Sequence, residues 1–513
     1  MTLTFDNGKF VIRLRPNQHL TSPHWTEHEL GTYSTSKIKE ALRFRNVADA
    51  KAEKIFLKRM LLQTPLPLGG LVTPHGRELL PFQRDRGVPF ILSQNKTYLA
   101  HQPGLGKSAQ AIAAVNTKPG PATIFCPSFL KVTWAREITK WFRRDFPTIA
   151  IVPETPAQAD MNWFADFVIC SDSMILRPWV RAGLQKRKDR YRFIDEGHRY
   201  KSPETGRSIA LFGGRGANIE SPGLVYDTEH VSVLSGTPML ARPIELWPVL
   251  YALAPETIDF MKFQDFGFAY CGPRQTERGN YLFLGSSREP ELKARIAPFM
   301  QRIRKEDVLP DLPKKIREVI YLDEDPRKPG AIEFDRKMLR KAQALADPPE
   351  ELGDFAVAHH QNGLAKVGWA ARYISAILNE DASESVLVFA HHRDVVDRLA
   401  KALEIQKPMV INGGVPFEDR TKIQDAFQSG ARRLTVGNLS AMNLGLTLTR
   451  ATRVIFVEYS WSPTENEQAE DRANRIGSKW AVFAQYLVLP GSLDEYMLEK
   501  NFEKQERIER IIG

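Results

Sequence analysis

The stretch Leu99-Ala100-His101-Gln102-Pro103-Gly104-Leu105-Gly106-Lys107-Ser108 holds the groups that a nucleoside triphosphate requires. Glycines at 104 and 106 reach backbone conformations closed to other residues, so the amide N–H groups around Leu105 can turn toward phosphate oxygens. Lys107 adds a point charge for the β- and γ-phosphates, and the Ser108 hydroxyl suits Mg²⁺. His101 stands where such a loop usually opens with glycine. Downstream, Phe193-Ile194-Asp195-Glu196-Gly197-His198 offers two adjacent carboxylates at the end of a strand pattern. Asp195 suits Mg²⁺, directly or through water, and Glu196 suits orienting and deprotonating an attacking water. Upstream, Gln83 in LLPFQR has an amide able both to donate to and to accept from an adenine edge. Near the other end, Arg472 and Arg475 in QAEDRANRIG are spaced to share one helical face and reach a phosphate whose charge grows in the transition state. The chemistry implied is hydrolysis of ATP or GTP, made dependent on closure of a second lobe.

These groups need elements to hold them. Thr97–Ala100 reads as a strand entering the glycine-rich loop and Ala109–Val115 as a helix leaving it. Further strands are expected at 123–126, 166–170, 191–194 and 231–234, alternating with helical patterns, which argues a parallel α/β sheet. A second such pattern has strands at 385–389, 409–411, 433–436 and 453–457. The resulting organisation is an accessory N-terminal domain over residues 1–75, with a helix from Ser36 to about Leu62 and a linker at 64–70. A first α/β lobe follows over 76–250 and a helical protrusion with interlobe linker over 251–328. A second helical protrusion spans 329–380, a second α/β lobe 381–492 and a C-terminal packing helix 493–513.

A chain of 513 residues exceeds one hydrophobic core, and its 42% apolar content is ample for two. No apolar run is long enough to span a bilayer and the N-terminus lacks a secretory pattern, so an unexported, cytoplasmic protein with no membrane partner is expected. The three cysteines, Cys126, Cys170 and Cys271, have neither disulfide nor zinc spacing and read as packed thiols. The net charge of +10 is compatible with a polyanionic partner but is dispersed among acidic neighbours.

The ordered set LLPFQR, AHQPGLGKS, IFCPSFLKVTWAREITKW, DFVICSDSMI, FIDEGHRYK, VLSGTPMLARPIELW, VLVFAHH, GNLSAMNLGLTLTRA and QAEDRANRIGS resembles the motif series of Swi/Snf-type ATPases in helicase superfamily 2, from about Leu79 to the carboxyl terminus. The phrases SGTPMLARPIELWPVLYAL, FGFAYCG, FLGSS and VFAHH are most similar to the branch containing HARP-type annealing helicases, and the compact chain resembles bacterial and bacteriophage versions. The resemblance implies two RecA-like lobes, ATP with Mg²⁺, and hydrolysis stimulated by DNA and coupled to movement along the duplex. It places Gln83, Lys107, Ser108, Asp195, Glu196, Arg472 and Arg475 at the ATP site, and Gly445 where the second lobe approaches the nucleotide. Ser235, Gly236, Thr237 and Pro238 match the segment that couples the ATP site to DNA. Pro127, Ser128, Ser171, Asn438 and Ser440 fall in or near segments that meet the phosphate backbone. The chain departs from the family at His101 and Gln102, in DEGH for DEAH, and in the second-lobe motif at 440–448, where glycines are missing.

The function expected is a DNA-dependent ATPase that moves on duplex or branched DNA without reading sequence, as a monomer, with a replication or repair protein as a possible partner. A strand-separating DNA or RNA helicase is the alternative. A clamp that binds DNA without turnover is the reading from outside enzymology, opposed by Lys107, Glu196 and Arg475.

Overall fold

The computed structural model describes residues 76–513, except 144–145, 156–160, 217–218, 277–278, 345–352 and 443–445, together with four strands within residues 2–35. The expected helix at 36–62, the linker at 64–70 and Gly445 lie outside the described residues. The four strands, β1 (Thr2–Asp6), β2 (Lys9–Arg13), β3 (Thr26–Glu29) and β4 (Thr32–Thr35), form an antiparallel sheet in the order β1-β2-β4-β3.

The chain divides into two compact units, the first of residues 1–101, 106–303 and 512, the second of residues 102–105, 304–511 and 513. In the first, β5 (Lys96–Leu99), β6 (Ala122–Cys126), β7 (Ile149–Ile151), β8 (Phe167–Ser171) and β9 (Tyr191–Asp195) precede a small hairpin of β10 (Gly214–Gly216) and β11 (Ile219–Ser221). Then come β12 (His230–Leu234), a second hairpin of β13 (Arg274–Gln275) and β14 (Tyr281–Leu282), and β15 (Met300–Gln301). Seven of these make one parallel sheet in the order β15-β5-β12-β9-β6-β8-β7. The central strands are buried along their whole length, as in a sheet covered on both faces. Leu99 pairs with Leu234, and Leu234 with Asp195, so the carboxyl ends of β5, β12 and β9 are level. Three loops therefore leave the sheet side by side, at the edge where α/β folds bind ligands.

The second unit is a six-stranded parallel sheet of β16 (Lys315–Tyr321), β17 (Val386–Ala390), β18 (Met409–Ile411), β19 (Leu434–Asn438), β20 (Arg453–Phe456) and β21 (Val482–Val488), in the order β16-β21-β20-β17-β19-β18. Alternate residues of β17 feed separate cores on the two faces, Leu387 and Phe389 on one and Val386, Val388 and Ala390 on the other. Helices at Pro329–Ala344, Gly353–Glu380 and Leu493–Ile512 cover the sheet. All three cysteines are buried free thiols.

The interval 251–328, expected to be a mostly helical protrusion with a linker, also contributes strands. Met300–Gln301 extends the first sheet beside β5, and Lys315–Tyr321 forms the edge of the second. Two-residue β15 is too short to show a periodicity, and β16 is only partly buried, so its apolar residues are diluted by Lys315, Arg317 and Glu318.

Candidate nucleotide site

The loop after β5 runs into the helix Lys107–Thr117, whose first residue is Lys107. Gly106 precedes it with φ 71°, in the left-handed region, and a Cβ there would collide with Gln83 Nε2. Gln83 is buried in a π-helical turn, Gln83–Gly87, and its Oε1 accepts from the Leu80 amide at 2.9 Å. The structure thus puts Gln83 against the loop, with part of its amide already engaged. Lys107 Nζ donates to the His101 carbonyl at 2.8 Å, closing the loop upon its own cation. His101 is fully buried and its Nε2 lies 3.0 Å from Gln301 Oε1 on β15. Burial, only partly offset by Gln301, pushes its imidazole down to about 3, so at neutral pH the ring pins the loop's root without adding charge.

Asp195 ends β9 and Glu196 begins the turn, with φ 53°, a left-handed conformation that costs a non-glycine residue energy. Trp134 Nε1 donates to Asp195 Oδ2 at 2.8 Å, and the Glu196 amide donates to Asp195 Oδ1 at 3.0 Å. Burial first, and Glu196 second, push Asp195 up to about 7 against the opposing effects of Trp134 and Lys107. This carboxylate pair is short of positive charge, which fits a divalent cation, and the Ser108 hydroxyl begins the helix beside Lys107.

His198 joins this pair to the next strand. Its Nδ1 lies 3.3 Å from Glu196 Oε2, 3.1 Å from Ser235 Oγ and 3.5 Å from Thr237 Oγ1. Ser235 Oγ also accepts from the Thr237 amide at 3.2 Å. Arg302 donates to the Ala100 carbonyl at 2.9 Å and to the Gly236 carbonyl at 2.6 Å, tying the root of the glycine-rich loop to the same segment. His198, which the sequence suggests as a structural hydrogen-bonding residue and not a proton carrier, has such partners here. Trp134, on the helix Lys131–Trp141, and Arg302, after β15, have positioning roles that no local motif signals.

The sequence-derived backbone contacts are unevenly exposed. Pro127 is buried and Ser128, at the start of a short 3-10 turn after β6, is exposed. Ser171 is 1% exposed and its hydroxyl pairs with Ser173 at 3.2 Å, so its side chain offers no open contact. In the second unit Ser440 is exposed, whereas Asn438 is buried and donates to the His391 carbonyl at 2.9 Å.

Arg472 and Arg475 do not share a helical face. Their helix, Pro463–Glu470, ends before them and both lie in the turns that follow. Buried ion pairs fix this end. Glu470 takes Arg317 at 2.8 and 2.7 Å, Lys315 at 2.8 Å and the Tyr486 hydroxyl at 2.8 Å, while Asp471 takes Lys305 at 2.9 Å and Lys315 at 3.0 Å. Burial alone would raise both carboxyls, but these cations hold each down to about 2. Arg472 donates to the Leu446 carbonyl at 3.2 Å, and Arg475 Nε to the Asp471 carbonyl at 2.7 Å. The acidic pair thereby positions the arginines.

The SNF2-related domain family matches residues 83–329, and the helicase conserved C-terminal domain family matches residues 369–477. Similar curated proteins include SWI/SNF-related matrix-associated actin-dependent regulator of chromatin subfamily A-like protein 1 of Xenopus tropicalis, 32% identical over 432 residues, covering 82% of this chain and 44% of that protein. DNA annealing helicase and endonuclease ZRANB3 of Homo sapiens is 30% identical over 435 residues, covering 82% of this chain and 39% of that protein. The chain spans less than half the length of these two relatives. A solved structure of the Sulfolobus solfataricus SWI2/SNF2 ATPase core in complex with dsDNA covers 85% of this chain and 97% of its own, at 20% identity and a TM-score of 0.40. Among the described residues, no helix is long and apolar enough to cross a membrane.

Proposed function

The chain belongs to the Snf2 superfamily, and from that premise we propose that it is a DNA-dependent ATPase that translocates on duplex DNA and anneals, regresses or otherwise remodels DNA structures or displaces bound proteins. The observation that carries the reading is the contact network centred on His198 Nδ1, which lies within 3.5 Å of Glu196, Ser235 and Thr237, with Arg302 linking Gly236 to the glycine-rich loop. Such a network lets occupancy of a nucleotide site bias a segment assigned to DNA coupling.

Gly104, Leu105, Gly106 and Lys107 are assigned to the phosphates, Gln83 to adenine, Ser108 and Asp195 to Mg²⁺. Bound Mg²⁺-ATP supplies the phosphoanhydride and the charge that its cation offsets. Glu196 orients the attacking water and accepts its proton, and Arg475, aided by Arg472, stabilises the transferring phosphoryl group. Similarity to proteins named as annealing helicases favours the annealing branch. Residues 1–75 are proposed as an accessory domain, and the protein as a cytoplasmic monomer acting on branched DNA without sequence preference, alone or with a replication or repair protein.

Phosphate release measured without nucleic acid and with single-stranded, duplex and forked DNA tests this reading. Stimulation by duplex, and more by forks, is expected. Absence of stimulation by any nucleic acid overturns it, and efficient displacement of a strand from a fork would instead favour the strand-separating helicase.

A further inference from the structure

Four histidines gather in the second unit around Glu458. His359 and His360 lie on the helix Gly353–Glu380, His391 and His392 follow β17, and Glu458 follows β20. Their parallel strands end level, Phe389 beside Phe456, which brings the two loops together. Glu458 is fully buried and its Oε2 accepts from the His391 and His392 amides at 2.9 Å each, while its Oε1 lies 2.7 Å from His392 Nδ1. The helix approaches closely at Gly363, one turn after His359, where a Cβ would collide with the Glu458 carboxylate. The His359 ring centroid is 5.5 Å from that of His392 and 5.6 Å from that of His391.

We propose that His359, His392 and Glu458 bind one divalent transition-metal ion of the zinc class. One donor atom from each residue lies within 4.8 Å of the other two. With bonds of about 2.0–2.2 Å, donors around tetrahedral zinc stand about 3.3 Å apart, so the three need to close in by no more than about 1.5 Å. Two imidazoles and a carboxylate suit zinc and its neighbours, whereas magnesium and calcium prefer all-oxygen sites.

A hydrogen-bonded anchor of Glu458 and His392 explains those two residues and leaves out the third. His359 is 5% exposed and its ring has no hydrogen bond among the described residues. The surroundings also supply the outer support that metal ligands use. The amides of residues 391 and 392 hold the carboxylate. His360, itself 2.8 Å from both Asp394 oxygens, packs its ring 4.4 Å from that of His392. Lys366, the nearby buried cation, is neutralised by Asp494 at 2.6 Å. The fourth position falls to water or to the His391 ring. The ion would clamp the helix to the loops after β17 and β20, and Asn438, bonded to the His391 carbonyl, extends that clamp to the end of β19.

The test uses the tag-free full chain, grown with zinc, dialysed against metal-free buffer and assayed for metal by mass spectrometry, then titrated with Co²⁺ after chelator treatment. Near one equivalent of retained metal is expected, with ligand-field bands of tetrahedral Co²⁺. These bands should persist in Asp195→Asn, which disables the magnesium position, and Co²⁺ affinity should fall at least tenfold in His359→Asn and in His392→Asn. Absence of both retained metal and Co²⁺ bands in the wild-type chain overturns the site, whatever the variants' folding. Equal Co²⁺ affinity in folded His359→Asn also overturns it.

Discussion

Asp195–Glu196 and Glu470–Asp471 are both adjacent acidic pairs at the end of a secondary element, yet their electrostatic states are opposite. Around Glu470 and Asp471 the protein gathers Lys305, Lys315 and Arg317, and both carboxyls are held near 2. Around Asp195 it supplies an indole N–H and a more distant lysine, leaves the carboxyl near 7, and bends Glu196 into the left-handed region. The saturated pair is scaffold: its charge is spent on ending a helix and setting two arginines. The unsaturated pair costs stability and keeps its attraction for a cation from outside the chain. Two carboxylates in a row are therefore saturated or left open to an outside cation according to which cations the fold brings to them.

Substitutions can break that contrast. Glu196→Gln should lower kcat about 10²–10⁴-fold while leaving the melting temperature and nucleotide affinity near wild type, as scanning calorimetry and fluorescent-nucleotide titration would show. Comparable loss of stability would move this pair into the scaffold class. Glu470→Gln should do the reverse, costing about 1.5–3 kcal/mol of stability by removing the buried carboxylate that accepts from part-exposed Lys315 and Arg317, read by urea unfolding. An unchanged midpoint would refute the scaffold assignment.

Asp195→Asn sharpens the contrast through pH. A carboxyl raised to about 7 stabilises the folded state fully below its unfolded pKa near 4, and that stability is lost as pH rises toward 7. In magnesium-free buffer at pH 8 the variant should therefore melt a few degrees above wild type, with the gap closing toward pH 4. Glu470 and Asp471 run the other way: depressed to about 2, they contribute stability above pH 4 that is lost only as pH falls through 2. The smallest effect is expected for Trp134→Phe, which removes one hydrogen bond from Asp195 and should shift the Mg²⁺ concentration for half-maximal ATPase by a few-fold. A shift beyond tenfold would make Trp134 more than a support.

Local sequence carries the glycine-rich loop, because glycine spacing, the following lysine and the flanking strand and helix all lie within one short stretch. Long apolar runs such as β6, β9 and β17 were legible for the same reason. β7, β15, β16 and β21 were not: β15 has only two residues, β16 is half-exposed, and buried Gln485 interrupts β21. The conformation of Arg472 and Arg475 was also hidden, since the helix before them ends on Lys305, Lys315 and Arg317, about 150 residues earlier. The histidine pairs at 359–360 and 391–392 are visible in the chain, but their meeting with Glu458 depends on the order of parallel strands. Burial of Ser171 and Asn438 likewise follows from packing that no motif records.

The last stretch of the first unit has a mechanical meaning. Its exit strand, Met300–Gln301, is joined to the β5 edge by the Tyr98 amide on the Phe299 carbonyl and the Ala100 amide on the Gln301 carbonyl, each at 2.8 Å, and Arg302 adds its grip on Ala100 and Gly236. A parallel strand pulled along its axis resists in shear, with its bonds strained together and not one after another. A load along this exit strand therefore acts at the root of the glycine-rich loop, where Arg302 holds the Ala100 carbonyl.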